Sequence, residues 1–349
     1  MLPQKYLMYI SQNYSYAMLR PIQAEILARG NSVKWFLEGS EVSAKYLTSD
    51  EIQLKTIEKV NEWNADFVLV PGNVVPSFIS GLKVGLFHGF NSGKRGNDAH
   101  FKIRQCFDMY CTQGPNTTER FLTLSKQYQT FKVTETGWAM LDPLFTKVDS
   151  NPYYSVTDNR PTLLFCSTFS EESSYAAELF PMVKKLSRST RYRWLVQFHP
   201  KMPIDIVEKY KSIQNENLQF IETDDVIPLL QTADVMICDT SSIMIIFLLQ
   251  KKPVIAYKNK TTNDSYIHIN TIDELEKSIE IALGNSEERL HKIERYCSQT
   301  HPYDDGKSSQ RVVDACELLQ KEGIENMKSK PLNLIRQIKL RKKLKYWKI

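Results

Sequence analysis

Long uncharged stretches are missing from this sequence. No segment reaches the ~18 apolar residues that a membrane span needs, and "SIMIIFLL" (242–249) falls far short. Paired metal spacings are missing as well. Cys106 and Cys111 have four residues between them and no second Cys or His pair to complete a zinc site, and Cys166, Cys238, Cys297 and Cys316 stand apart. Reduced, mostly buried thiols in a cytoplasmic protein are expected. The start, "MLPQKYLMYISQNYSY", has neither the basic flank nor the long apolar core of a signal peptide. No internal repeat, low-complexity tract or metal-ligand cluster is visible, so neither metal nor cofactor is expected. "GFNSGKRG" (89–96) is not a phosphate-binding P-loop, because the spacing before Lys94 is wrong and no Ser or Thr follows it.

One further absence is local. From Met327 to Ile349 there is no acid, against nine Lys/Arg. The remaining chain then holds 36 bases and 40 acids, so the net charge of +5 belongs to a basic tail on a body near −4. The tail also carries Leu, Ile, Tyr346 and Trp347, which suits an anionic membrane surface better than nucleic acid, for which no recognition motif is present. On a helical wheel the two kinds of residue do not separate cleanly, since Leu340 and Trp347 share a sector with Arg336.

What is present reads as alternating strands and helices. Apolar runs at 5–11, 33–39, 66–72, 83–89 and 107–115 are separated by helix-like segments at 20–30 and 49–64. Pro21 suits a first helical turn and Gly30 a stop. After a polar linker (147–161), apolar runs return at 162–168, 192–200, 218–222, 234–239 and 252–257. Helices are expected near 172–187, 203–215, after Ser242, at 271–284 and from about Gly306. Short apolar strands between amphipathic helices imply parallel sheets covered on both faces. The 349 residues suffice for two such domains.

Parallel sheets bind ligands beyond the carboxyl ends of their strands. The polar residues in those places are His88, Gly137–Asp142, His199 and Asp239–Ser242. Asp239 ends a strand, and Thr240, Ser241 and Ser242 open a helix, where free N–H groups and hydroxyls could hold a phosphate. The plainer alternative is that Asp239 or Thr240 caps the helix. His88 can act as a general base near neutral pH, and Gly89 would let substrate approach the backbone. Lys94 and Arg95 could meet an anionic acceptor or be solvated. His199 is pushed out of its strand by Pro200 and followed by Lys201, making a second anion-facing pair. His100 reads as structural.

The motifs "FHG", "TGWAMLD" (136–142), "LLFCSTF" (163–169), "VQFHPKM" (196–202), "DVIPLLQTADVMICDTSSIMIIFLLQKKPVI" (225–255) and "DDGKSSQRVVD" (304–314) occur in a shared order. In them the chain resembles the CDP-glycerol glycerophosphotransferases, the teichoic-acid and capsule primases and polymerases, over roughly residues 80–320. The resemblance implies a GT-B-like fold, α/β with two Rossmann-type domains facing across a cleft. Residues 1–150 would form the acceptor domain, 151–323 the nucleotide-donor domain and 324–349 the basic membrane-proximal tail. It further implies His88 as the base, His199 on the donor phosphates, Ser241 and Ser242 on the pyrophosphate, and Asp305, Gly306 and Arg311 near the nucleotide. Asp142, with Gly89, Lys94 and Arg95, would fall on the acceptor side. Phe90-Asn91 replaces the family's usual Thr-Pro, and Ala139–Leu141 lacks an Arg common before the aspartate.

The implied partners are CDP-glycerol or a related CDP-polyol, and a lipid-linked or polysaccharide acceptor. The implied place is the cytoplasmic face of a bacterial membrane. A nucleotide-sugar glycosyltransferase or UDP-sugar 2-epimerase is the main alternative. An epimerase would need extra carboxylates beside Asp142 and Asp239. A non-catalytic protein of the same fold should lack His88, which is present.

Overall fold

The computed structural model describes residues 3–90, 100–146, 150–155, 157–170, 172, 174–223, 225–259, 263–284 and 286–348. The chain forms two compact units. The first comprises Met1–Pro143 and Gln299–Ile349, and the second Leu144–Ser298.

In the first unit β1 (Lys5–Ile10), β2 (Ser32–Leu37), β3 (Phe67–Val70), β4 (Leu82–Gly85), β5 (Met109–Thr112) and β6 (Lys132–Glu135) form one sheet in the order β2-β1-β3-β4-β5-β6. Every pairing in it is parallel. Strand side chains alternate between faces, and β1 shows the result. Tyr6, Met8 and Ile10 enter one buried cluster with α1 (Ser15–Ala28), while Leu7 and Tyr9 enter another with α2 (Ile57–Trp63) and α3 (Pro115–Tyr128).

Two local expectations shift. Pro21 sits well inside α1 rather than in its first turn, whereas Gly30 does terminate it at φ +76°. The helix expected over 49–64 shrinks to α2, because Thr56 accepts a hydrogen bond from the Lys59 N–H at 3.3 Å and starts the helix there. A short helix, α4 (Asp142–Phe145), leads into the second unit.

In that unit β7 (Thr162–Ser167), β8 (Arg193–Phe198), β9 (Leu218–Phe220), β10 (Val235–Cys238), β11 (Val254–Tyr257) and β12 (Ile267–Ile269) form a second parallel sheet in the order β9-β8-β7-β10-β11-β12. This is the doubly wound dinucleotide-binding order, with its reversal between β7 and β10. α5 (Ala176–Leu186), α6 (Ile204–Lys211), α7 (Ile227–Thr232), α8 (Ile243–Leu248), α9 (Glu274–Leu283) and α10 (Glu287–Thr300) accompany it. Both sheets therefore carry a sixth strand beyond the five expected: β6, which reads Lys-Val-Thr-Glu, and β12, which reads Ile-His-Ile. Both are edge strands and too short or polar to stand out as apolar runs.

The chain then returns. α11 (Ser308–Glu322) buries Val312, Val313, Cys316 and Leu319 in the first unit's core beside α1. Residues 299–323, expected with the second half, thus belong to the first, because α11's apolar stripe covers that sheet. α12 (Leu334–Leu344) follows it onto the opposite face, where Leu344 and Tyr346 pack. The six cysteines are all buried and form no disulfide. Among the described residues no helix is long and apolar enough to cross a membrane.

Candidate active site

The second unit's site forms where its sheet reverses. A cavity of about 240 Å³ at the carboxyl ends of β7, β8 and β10 is lined by residues that include Ser167, Gln197, His199, Thr223, Ser241 and Ser242. Crevices at such switch points are the usual ligand sites of this topology. The structure thus brings His199 to Ser241 and Ser242, as their strand-end positions suggested. Gln197 and Thr223 were not foreseen. Gln197 lies inside an apolar strand, and its polarity there was the available signal.

Asp239 does something else. It is fully buried and does not line the cavity. Its carboxylate accepts from the Ser167 hydroxyl, from the Thr168 N–H at 2.9 Å and from the Tyr175 N–H at 3.2 Å. These bonds tie the loop after β7 to the loop after β10. The expected donor contact at Asp239 is therefore replaced by a bracing role. Thr240 is also buried and outside the lining. The two serines that follow stand half-buried and exposed at the cavity wall.

His199 is exposed, and its ring lies 4.4 Å from that of Phe169. Its Nδ1 accepts the Lys201 N–H at 3.1 Å, so in the neutral ring the proton sits on Nε2. Desolvation, then the Lys201 charge, lowers its pKa from the ordinary value. His199 therefore offers an N–H donor rather than a charge at neutral pH. The cation is Lys201 beside it, which lies over the Phe169 ring at 5.7 Å.

In the first unit His88 follows β4 and is exposed. Its Nδ1 lies 3.2 Å from the Pro71 carbonyl, an acceptor only, so in the neutral ring Nδ1 carries the proton and Nε2 the lone pair. The Tyr14 ring is 6.0 Å away. Pro71 directly follows β3, beside the β1/β3 reversal of this sheet. What turns His88 outward is Phe87, a bulky residue held at φ +57°. Stacking on His100 at 5.0 Å and edge contact with Phe121 at 5.0 Å hold it there. Such a backbone costs of order 1–3 kcal/mol and persists only where packing over-determines it. His100 is indeed structural, its pKa depressed to about 4 by burial and then by His88. Gly89 has open space where a Cβ would stand, leaving backbone accessible beside His88. Lys94 and Arg95 lie outside the described residues.

The distant motifs "TGWAMLD" and "DDGKSSQRVVD" meet in the first unit. Gly137 has φ +79°, and a Cβ on it would stand 2.5 Å from the Ser308 hydroxyl. The Trp138 N–H donates to His301 Nε2 at 2.9 Å. The Asp142 carboxylate accepts from the Ser308 N–H at 2.8 Å, the Ser309 N–H at 2.7 Å and the Ser309 hydroxyl at 2.5 Å. Asp142, expected on the acceptor side, is buried and anchors the start of α11, where a carboxylate satisfies orphan N–H groups and the helix dipole. Asp305 pairs with Arg311 at 2.5 Å, and the guanidinium lies 4.1 Å from the Tyr303 ring centroid. Arg311 is the first cause of the lowered Asp305 pKa. Gly306, at φ +66°, makes the turn between them. These three belong to the first unit, not to the unit holding His199 and the serines.

Residues 89–318 match the family model described as CDP-glycerol:poly(glycerophosphate) glycerophosphotransferase, about two thirds of the chain. The chain belongs to that family. It is therefore a glycerophosphotransferase, with CDP-glycerol as the family's donor. A search of curated protein sequences finds no match. Among solved structures, the wall teichoic acid polymerase TagF is similar at TM-score 0.65 and 14% identity, covering 92% of this chain and 90% of that one. A TagF variant soaked with CDPG gives 0.61 and 13%, covering 93% and 90%. A UDP-N-acetylglucosamine 2-epimerase candidate from Listeria monocytogenes gives 0.66 and 17%, covering 92% and 98%. At these identities the likeness is one of fold, the two-sheet GT-B type.

Proposed function

We propose that this protein moves glycerol phosphate from CDP-glycerol to a hydroxyl of a cell-surface glycan or lipid-linked acceptor and releases CMP. The observation that carries this reading is that the family match spans the second unit's switch-point cavity, whose walls present Ser241, Ser242 and His199. In it the second unit holds the donor. The serine hydroxyls and the His199 Nε2–H donate to the pyrophosphate oxygens, and Lys201 offsets their charge. The first unit supplies the base. His88 Nε2 takes the acceptor's proton while the acceptor oxygen bonds to the β-phosphorus. The bond from that phosphorus to the bridging oxygen breaks, and CMP leaves with the electron pair. Positioning and charge neutralisation carry most of such a reaction. Asp239 and Asp142 act at one remove, bracing the serine loop and α11. The same reading seats the protein at the inner face of a bacterial membrane through its basic C-terminal segment.

The test is CMP release from CDP-glycerol with a lipid-linked saccharide acceptor, with His88→Ala alongside. His88 is exposed, so its loss should leave the fold intact and reduce turnover by about 10²–10⁴-fold, the usual share of a general base. Turnover of CDP-ribitol or a UDP-sugar in place of CDP-glycerol would overturn the donor assignment. Full activity of the alanine variant would overturn the base.

A further inference from the structure

The C-terminal segment is not a loose tail, and its two sides differ. α12 is docked on the first unit by Lys330, which pairs with Asp108 ahead of it, by Arg336, which donates to the Arg104 carbonyl at 2.5 Å, and by Lys343, which pairs with Glu38 at 2.8 Å. Gln337 accepts the Ser77 N–H at 3.2 Å, Leu340 is buried, and Arg341 lies 4.6 Å from the Phe78 ring centroid. At about 100° per residue, Arg336, Leu340, Lys343 and Leu344 share one sector, and Leu334, Ile335, Ile338, Lys339 and Lys342 share the opposite one. The poor separation seen on the sequence wheel has a cause. Both sides of the helix are mixed, and the protein covers only one of them.

The uncovered side is apolar where solvent would favour polar residues. Leu334, Ile335 and Ile338 are 64%, 74% and 55% exposed, and Leu332 just before them is 75% exposed. Single exposed apolar residues are ordinary, but four within seven positions on one short segment form a patch. Lys339 and Lys342 lie in the same sector and make no ion pair with any described residue. With no acid between Met327 and Ile349, whatever covers this patch should be apolar and anionic together. A second copy fits poorly, because a two-fold contact would set the lysines against their own mates.

We propose that this outer sector of α12 lies in the headgroup region of an anionic bilayer as a preformed, docked helix. Leu334, Ile335 and Ile338 enter the acyl boundary, and Lys339 and Lys342 meet lipid phosphates. This sharpens the peripheral-membrane reading above and rests on it. The docked side carries a consequence. Arg336 holds the loop at Arg104, the loop whose His100 stacks on Phe87 next to the base. The helix that touches lipid is bonded to the segment that backs His88, so a lipid-linked acceptor would be presented from the side on which it is embedded.

The test uses the full chain and co-sedimentation with phosphatidylglycerol–phosphatidylcholine vesicles against phosphatidylcholine alone. The variants are Ile335→Ser/Ile338→Ser and Lys339→Gln/Lys342→Gln, all at exposed positions outside the proposed catalytic groups. Wild type should bind the anionic vesicles. The isoleucine variant should bind at least about tenfold more weakly. The lysine variant should lose the preference for anionic lipid, with melting temperatures unchanged in both. Turnover should fall for a vesicle-embedded acceptor and stay constant for a soluble acceptor analogue. Equal binding by all three proteins would overturn the proposal. So would a concentration-dependent dimer, broken by the isoleucine change, with no vesicle binding. Vesicle binding is read without donor, so failure of CDP-glycerol turnover would strike the activity reading alone.

Discussion

Asp239→Asn separates two jobs that adjoin in the sequence. The Asp239 carboxylate, fully buried, takes two backbone N–H groups and one hydroxyl from the loop after β7. Hydrogen bonds to a buried charged group contribute about 1.5–3 kcal/mol each, and an asparagine keeps one acceptor oxygen while turning an NH₂ toward donors. Allowing for what the amide retains, the variant should lose about 3 kcal/mol. In a domain of this size that lowers the melting temperature by roughly 6–12 °C. Ser241→Ala and Ser242→Ala stand at the cavity wall, so they should change the melt by less than about 2 °C and raise the KM for donor instead. Differential scanning calorimetry read beside steady-state kinetics on all three variants distinguishes the cases. An Asp239→Asn protein that melts like wild type yet has lost donor binding would refute the bracing role and return the carboxylate to the substrate.

Asp142→Asn should act in the same way on the first unit. With α11's first N–H groups no longer facing a charge, a loss of about 2 kcal/mol is expected, seen as faster amide exchange across residues 308–312. Stability should also depend on pH through His301, whose pKa burial depresses to about 4. The unfolded ring titrates near 6.5, so the full contribution is present above that pH and is lost as pH falls toward 4, at most about 3 kcal/mol. His100, also held near 4, adds to the same slope. His301→Gln should remove roughly half of it in urea titrations at stepped pH, and an unchanged slope would refute the assignment.

What was legible in the sequence was local. Strand–helix alternation follows from short apolar runs between amphipathic stretches, and ten of the twelve strands stand out in this way. Residues just past a strand end must lie at the sheet's ligand-binding edge, which is why His88, His199 and the two serines were identifiable and why His199 meets those serines in one cavity. β6 and β12 were not legible, because an edge strand can be short or polar and takes its form from its neighbour's hydrogen bonds. Phe87 gave no signal either: only the aromatic cluster around it holds a bulky residue at positive φ and turns His88 outward.

The rest was decided by which distant segments become neighbours. Asp239 braces rather than binds because β7 and β10 lie side by side, placing Ser167, seventy-two residues away, against its carboxylate. Asp142 became a helix anchor and Asp305–Arg311 moved to the first unit because α11 crosses back to cover that sheet. The mixed C-terminal segment resolved into a docked side and an open side only once the first unit had claimed Leu340, Arg336 and Lys343. Periodicity and turn chemistry act over a few residues and can be read in order. A buried carboxylate's partners and a helix's covered face depend on contacts between segments far apart in the chain, and those exist only in the folded molecule.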